Sequence, residues 1–108
     1  MSQKIYCIAS FEAKEGKEKE LLEVLQSLEP NTTREDGCIL YVVTKKIAHP
    51  NAIGHSFPIV FNEIWASKEA FELHCNKPYI TNFFQNHCVN SDGLVKDFNV
   101  CVYTDEIN

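Results

Sequence analysis

Two residues that could carry out acid–base chemistry, Glu63 and His74, and a tryptophan that could support them come close together between Phe61 and Tyr79. Glu63 and Trp65 are two positions apart in a segment typical of a β-strand, so their side chains point to the same face. His74 follows in a predicted helix, for which Ser67 is the expected N-terminal cap. A carboxylate, an indole and an imidazole are therefore brought onto otherwise apolar surfaces, and this is where chemistry is expected.

His74 is the best candidate for an acid–base catalyst, because an imidazole with an ordinary pKa of about 6.5 exchanges protons at neutral pH. The alternative is a structural histidine that hydrogen-bonds a nearby backbone carbonyl and shares its helix face with Ala70 and Phe71. Glu63 is a second candidate base, or a partner of His74, if it faces a pocket where desolvation raises its pKa. Otherwise Glu63 is solvated at a sheet edge or paired with a cation such as Arg34 or a lysine.

Aromatic side chains near these residues are candidates for the walls of a substrate pocket. Trp65 could stack on a flat aromatic ring, and its N–H could orient a bound oxygen atom. The other expected pocket residues are Tyr41, Phe71 and Phe83. The sequence leaves open whether each of them belongs to a pocket or to the hydrophobic core.

The composition is that of a single small globular domain over residues 1–108, with 44% hydrophobic and 23% charged residues. The net charge of −5 and the single arginine, Arg34, argue against a nucleic-acid partner, because phosphate binding needs clustered Lys and Arg. No apolar stretch is as long as a membrane span, and the apolar N-terminal run is too short for a signal peptide. We therefore expect a cytoplasmic protein with no membrane partner.

The five cysteines are expected to be free thiols. They form no Cys-x-x-Cys pair, and an odd number of cysteines in a reducing compartment favours unpaired, largely buried thiols. The dipeptides His74-Cys75 and His87-Cys88 contain the residue types of a zinc site. Because neighbouring residues on a helix point about 100° apart, neither dipeptide can direct both of its ligands at one metal ion. We therefore expect no metal site.

The apolar patterns predict an alternation of strands and helices. Predicted strands are Lys4–Phe11, Cys38–Thr44, Pro58–Ala66 and Leu94–Tyr103. The first predicted helix begins at Lys17 and is stopped by Pro30. The other predicted helices are Ser67–Cys75 and a segment that begins at Pro78 and extends through Cys88. The order β-α-β-β-α-β, with the second helical region in two pieces, predicts a ferredoxin-like α+β sandwich.

The first two predicted strands are apolar on both faces. In the second, Ile39, Tyr41 and Val43 are expected on one face and Leu40 and Val42 on the other. Helices can cover only one face of a four-stranded sheet, and soluble monomers avoid large exposed apolar patches. A second copy of the same sheet would cover the other face, so we predict a two-fold homodimer.

Five short motifs occur in order along nearly the whole chain. They are Ala13-Lys14-Glu15-Gly16-Lys17, Thr33-Arg34-Glu35-Asp36-Gly37-Cys38 with Tyr41 beyond it, Phe61-Asn62-Glu63-Ile64-Trp65, Ser67-Lys68-Glu69-Ala70-Phe71, and His74 ahead of Pro78-Tyr79. Together they resemble the antibiotic biosynthesis monooxygenase family, whose members form dimeric α/β barrels. Two departures are that Asp36 stands where the family usually has proline, and that the loop Lys45–Ser56 is longer than usual.

The resemblance implies a cofactor-independent monooxygenase that oxidises a small phenolic or quinol substrate with molecular oxygen. In such chemistry the substrate supplies the electrons that a cofactor otherwise would. The implied catalytic residues are His74 as the base and Glu63 as its partner or alternate. The implied pocket walls are Trp65, Tyr41, Phe83 and Phe71.

Three other functions remain open. The superfamily includes an isomerase of a phosphorylated sugar signal, for which Lys45 and Lys46 would have to supply the phosphate site. It also includes haem-degrading enzymes, but these carry an asparagine on the first strand. The first strand of this chain has no asparagine and ends Ala9-Ser10-Phe11. A dimeric ligand-binding module without catalysis is the third, and in it the replacement of His74 would have only a small effect on stability.

Overall fold

The computed structural model describes residues 3–108 as a four-stranded antiparallel sheet with helices on one face. The strands are β1 (Ile5–Ala13), β2 (Cys38–Lys45), β3 (Ile59–Trp65) and β4 (Val95–Thr104), in the order β2-β3-β1-β4. The helices are α1 (Glu18–Ser27), α2 (Glu29–Thr33), α3 (Lys68–Cys75) and α4 (Pro78–Phe83), and α4 continues into a π-helical turn, Phe84–Val89. This is the predicted ferredoxin-like α+β fold.

The predicted domain also includes Met1 and Ser2, which lie outside the described residues. No helix in the described part is long and apolar enough to cross a membrane.

The hydrophobic core lies between the helices and the two central strands, β1 and β3. Side chains at alternate positions of these strands point towards the helices, as the two-residue period of a strand requires. These buried residues are Ile5, Cys7, Ala9 and Phe11 on β1, and Ile59, Phe61, Glu63 and Trp65 on β3. Leu21 and Leu25 of α1 pack over them and are fully buried. Glu63 is therefore a carboxyl group in an otherwise apolar row.

The prediction that Pro30 stops the first helix is wrong. The α1 helix already ends at Ser27, and one residue, Leu28, separates it from α2. Pro30 lies in the first turn of α2, where a backbone N–H would have no helical partner, so the missing donor costs little. The additional helix places the turn that follows it, including Glu35, beside α3 and α4.

The β2 strand differs from its predicted alternation near its start. The pairing of β2 with β3 is irregular between Cys38 and Leu40, which indicates a bulge. Ile39 is half exposed as a result and does not join Tyr41 in the core, contrary to the predicted shared face. From Leu40 onward the pairing is regular and aligns Tyr41 with Glu63.

The sheet face that points away from the helices is also apolar. Large hydrophobic side chains on it are 37–54% exposed, namely Ile8, Leu40, Val42 and Tyr103. Cross-strand pairing brings Tyr6 opposite Ile64 and Tyr103, and this extends the same surface across three strands. The open apolar face that the sequence predicted is therefore present.

Candidate active site

Glu63 is buried at the centre of the sheet. It lies on β3 between its two cross-strand partners, Cys7 of β1 and Tyr41 of β2, and is only 6% exposed. Its Oε1 accepts a hydrogen bond of 3.0 Å from Nε1 of Trp65, two residues along the same strand face. The expected alternatives, a solvated edge position or an ion pair with Arg34 or a lysine, are not what the structure shows, since Arg34 donates to Oδ1 of Asn31.

Burial raises the pKa of Glu63 to about 7, because loss of hydration penalises the charged carboxylate. The hydrogen bond from Trp65 acts in the opposite direction by stabilising the anion, and the negative charge of Glu35 adds to the increase. The carboxyl group of Glu63 can therefore take up or release a proton near neutral pH, which is the behaviour of a general acid or base.

His74 is held over Glu63 by α3. The hydroxyl of Ser67 caps this helix as predicted, accepting a hydrogen bond of 3.1 Å from the backbone N–H of Ala70. The last turn of α3 then carries His74 into the interior, where it is 4% exposed. Its ring lies on Trp65 with ring centroids 4.5 Å apart and approaches Tyr41 edge-on at 5.3 Å. Contacts with two rings fix the plane of the imidazole.

Each ring nitrogen of His74 is directed at a different carboxylate. The Nε2 atom lies 4.0 Å from Oε1 of Glu63, which is too long for a hydrogen bond. The Nδ1 atom lies 3.1 Å from Oε2 of Glu35. Burial lowers the pKa of His74, and the hydrogen bond and charge of Glu35 only partly offset this effect. The imidazole is therefore neutral at pH 7.

Glu35 and Tyr79 complete this network, and sequence reasoning identified neither as functional. The Tyr79 hydroxyl donates to Oε2 of Glu35 and lies 3.4 Å from the hydroxyl of Thr32. Burial and the hydrogen bond to Glu35 raise the pKa of Tyr79 to about 12. Both residues lie in the family-like motifs, but a carboxylate before the turn Asp36-Gly37 is ordinarily solvated, so Glu35 was not singled out.

A cavity of about 340 Å³ lies next to Glu63 and His74. The sheet forms its inner wall, and α3, α4 and the π-helical turn form its outer wall. Besides Glu63 and His74, it is lined by Cys7, Ala9, Phe71, Cys75, Ile80, Thr81, Phe84, Gln85, Val89 and Val100. Among the described residues that line it there is no lysine and no arginine. A mainly apolar cavity with two acid–base groups suits a small, uncharged ligand.

Of the four predicted pocket walls, the structure places only Phe71 at this cavity. Trp65 is fully buried, packs against the ring of His74 and donates its N–H to Glu63. Tyr41 stacks on Phe61 with ring centroids 4.3 Å apart. Tyr41 and Phe83 both lie in the core, where they border an internal void of about 30 Å³. Glu63 and His74 border the same void, so Tyr41 and Phe83 lie near both acid–base groups without lining the larger cavity.

The π-helical turn supplies wall residues that the sequence did not predict. The sequence predicted one apolar helix face that includes Ile80, Phe83 and Phe84. In the structure a π-helical turn begins at Phe84, and Phe84, Gln85 and Val89 line the cavity while Phe83 does not. Such turns are often found at functional sites.

The sequence model of a protein family, described as antibiotic biosynthesis monooxygenase, matches residues 4–86. The chain therefore belongs to the antibiotic biosynthesis monooxygenase family. No curated protein matches the chain significantly.

Solved structures resemble this chain over nearly its whole length. A protein from Shewanella oneidensis is 37% identical with a TM-score of 0.80, and the match covers 97% of this chain and 93% of that one. A proposed antibiotic biosynthesis monooxygenase from Deinococcus radiodurans is 21% identical with a TM-score of 0.75, covering 92% and 89%. A dabb-family protein with a ferredoxin-like fold from Mesorhizobium loti is 16% identical with a TM-score of 0.70, covering 94% and 96%. The last two likenesses show the fold alone.

Proposed function

We propose that this protein is a cofactor-independent monooxygenase that oxidises a small phenol or quinol with molecular oxygen. The observation that carries the proposal is a buried carboxyl group and a buried imidazole, 4.0 Å apart, at the wall of an apolar cavity. Membership of the antibiotic biosynthesis monooxygenase family supports the class of reaction. His74 is the proposed base, and Glu63 is its partner or alternate.

The separation of His74 and Glu63 suits a hydroxyl group placed between them. An oxygen atom about 2.8 Å from both Nε2 of His74 and Oε1 of Glu63 would form two good hydrogen bonds, because the two atoms are 4.0 Å apart. Proton transfer from a phenol to Nε2 of His74 would leave a phenolate in surroundings with few hydrogen-bond donors. Such a phenolate donates electrons more readily than the neutral phenol does.

The reaction balances without a further reductant. For a phenol or quinol with an unsubstituted carbon ortho or para to a hydroxyl group, one atom of O₂ becomes the new oxygen on that carbon of the quinone product. The other atom leaves as water with the phenolic hydrogen and the hydrogen of that ring carbon. The organic substrate loses the four electrons that reduce O₂, so the protein has to supply only a base, a dry cavity and an orientation.

The cavity disfavours the alternative of a phosphorylated sugar substrate. A phosphate group needs cationic or N–H partners, and the lining offers a carboxyl group and thiols instead. Lys45 and Lys46 are not among the lining residues, and Nζ of Lys45 lies 3.0 Å from Oε1 of Glu18 on the surface. A dianion would be placed beside Glu63 without compensation.

The test is oxygen uptake by metal-stripped protein with a panel of hydroquinones and naphthalenediols, with ¹⁸O₂ used to follow the inserted atom. We expect uptake with at least one member of the panel and one labelled oxygen in the quinone. A panel member that binds without oxygen uptake would favour the non-catalytic binding module instead. Thermal stabilisation by phosphorylated sugars alone would favour the isomerase.

We also propose that two copies of the chain pair through their open sheet faces. The exposed apolar residues Ile8, Leu40, Val42 and Tyr103 form one surface of the kind that soluble monomers avoid. Light scattering should give the mass of a dimer for the wild type and of a monomer for Val42→Glu. Ile53→Glu is the matched control, because Ile53 lies in the long loop and is 95% exposed, and this variant should remain a dimer. A wild-type monomer would contradict the proposal.

A further inference from the structure

Glu35 is held rigidly although it lies in a turn. Its backbone N–H donates to the carbonyl of Thr32 at 3.0 Å, and its own carbonyl accepts from the N–H of Cys38 at 3.2 Å. The side chain points inward and is only 9% exposed. A carboxylate so well removed from water needs hydrogen-bond donors to remain charged.

Two hydrogen-bonding groups meet at one oxygen atom of Glu35. The Tyr79 hydroxyl donates to Oε2, and Nδ1 of His74 lies 3.1 Å from the same atom. When Glu35 is a carboxylate it can only accept hydrogen bonds, and Nδ1 of His74 then carries the hydrogen. In a neutral imidazole the other nitrogen then has a free lone pair, and here that nitrogen is Nε2, which faces Glu63.

We propose that Glu35 is a positioning residue that holds His74 in the Nδ1–H form and so keeps Nε2 free to accept a proton from a ligand. The proposal deepens the proposed function, since the ligand proton is that of the phenol. Once His74 has taken this proton, Glu35 faces the imidazolium and stabilises its charge. Tyr79 acts on Glu35 rather than on His74, by fixing the carboxylate oxygen that accepts from Nδ1.

The charges around His74 agree with this role. Glu35 from the turn before β2 and Glu63 from β3 are the acidic groups that face it, and Lys77, just beyond α3, is the nearby cation. Tyr41 packs against its ring, and Tyr79 reaches it through Glu35. Glu35 is the group whose hydrogen bond and charge both favour protonation of His74. Its removal should therefore lower the pKa of His74 further and also release the choice of tautomer.

The test reads the tautomer directly from the ¹⁵N chemical shifts of histidine-labelled protein at pH 8 without substrate. In the wild type we expect a hydrogen on Nδ1 of His74 and none on Nε2. Glu35→Leu should move a substantial part of the population to the Nε2–H form, because Nδ1–H has lost its acceptor. Tyr79→Phe is the control, and it should keep the wild-type tautomer because the carboxylate remains.

A wild-type Nε2–H signal, or an unchanged tautomer in Glu35→Leu, would overturn the proposal. If Glu35→Leu does not fold, the pH titration of His74 in the isosteric variant Glu35→Gln decides the question. A lower titration midpoint of His74 than in the wild type supports the role of Glu35, and an unchanged midpoint overturns it. In kinetic assays, loss of Glu35 should lower kcat by roughly 10- to 100-fold, in the range of supporting residues that orient a histidine. Because the tautomer is read without turnover, the result holds even if no oxygen uptake is found.

Discussion

Nε2 of His74 lies 4.0 Å from Oε1 of Glu63, and the two side chains are both about 5% exposed. Neither group behaves as in water: burial raises the pKa of Glu63 to about 7 and lowers that of His74. Around pH 7 the pair therefore contains a neutral imidazole and a carboxyl group that is partly protonated. A buried ion pair would have fixed both protonation states, whereas this arrangement can still accept a proton from a ligand.

The burial of Glu63 should make the stability of the protein fall with rising pH. The pKa is higher in the folded state, about 7, than its ordinary value of 4.5, so the folded state binds the proton more tightly between these values. The contribution is complete below pH 4.5 and is lost as the pH rises through 7. Relative to Glu63→Gln, the free energy of unfolding of the wild type should fall by about 3 kcal/mol across this window.

Urea denaturation at fixed protein concentration from pH 4.5 to 8 measures this difference. The subtraction of Glu63→Gln removes the opposite contribution of His74, whose depressed pKa makes folding more favourable as pH rises. Glu23→Gln, at an exposed position of α1, is the matched control and should reproduce the wild-type slope. Parallel curves for the wild type and Glu63→Gln would show that Glu63 is not a desolvated acid.

Trp65 should set how easily Glu63 ionises. Trp65→Phe keeps an aromatic ring but removes the N–H that donates to Oε1 of Glu63 at 3.0 Å. Because that hydrogen bond stabilises the anion, its loss should raise the pKa of Glu63 by about one further unit, equivalent to about 1.4 kcal/mol. Titration of the ¹³C-labelled side-chain carboxyl by NMR measures the change.

Tyr41→Phe is the control for this experiment. Tyr41 is a cross-strand neighbour of Glu63, but the side-chain hydrogen bond that Glu63 accepts comes from Trp65. The pKa of Glu63 should therefore stay near the wild-type value in Tyr41→Phe. A pKa that stays constant or falls in Trp65→Phe would mean that the indole N–H does not support the carboxylate.

The cavity can be tested by filling it from β4. Val100 and Val102 lie two positions apart on the same face of that strand, yet only Val100 lines the cavity beside Glu63 and His74. Val100→Phe should weaken the binding of 2-naphthol by at least about tenfold, or about 1.4 kcal/mol, in calorimetry. Val102→Phe should bind it as the wild type does. Equal affinities in the two variants would place the ligand elsewhere.

The fold was predictable because its signals are local and repeated. Alternation along β1 and β3, the cap at Ser67 and the proline at the start of α4 each identify an element without reference to distant residues. Pro30 was misjudged because a proline that ends one helix and one that begins the next look alike in sequence.

The candidate site was predictable only in part. Glu63 and His74 could be identified because strand and helix periods place both on inward faces. Glu35 and Tyr79 were missed, since their meeting depends on how a turn and α4 pack together rather than on spacing along one element. Phe84, Gln85 and Val89 of the π-helical turn line the cavity, and no signal in the sequence predicted this turn.

The central claim is that His74 takes the proton that starts the oxidation. The most direct measurement is oxygen consumption by metal-stripped protein with the best phenol or quinol of the panel, comparing the wild type with His74→Ala and with His49→Ala, which alters an exposed loop histidine. We expect His74→Ala to lower kcat by at least about 100-fold, with partial recovery on addition of imidazole, and His49→Ala to match the wild type. Wild-type oxygen uptake in folded His74→Ala would contradict the account.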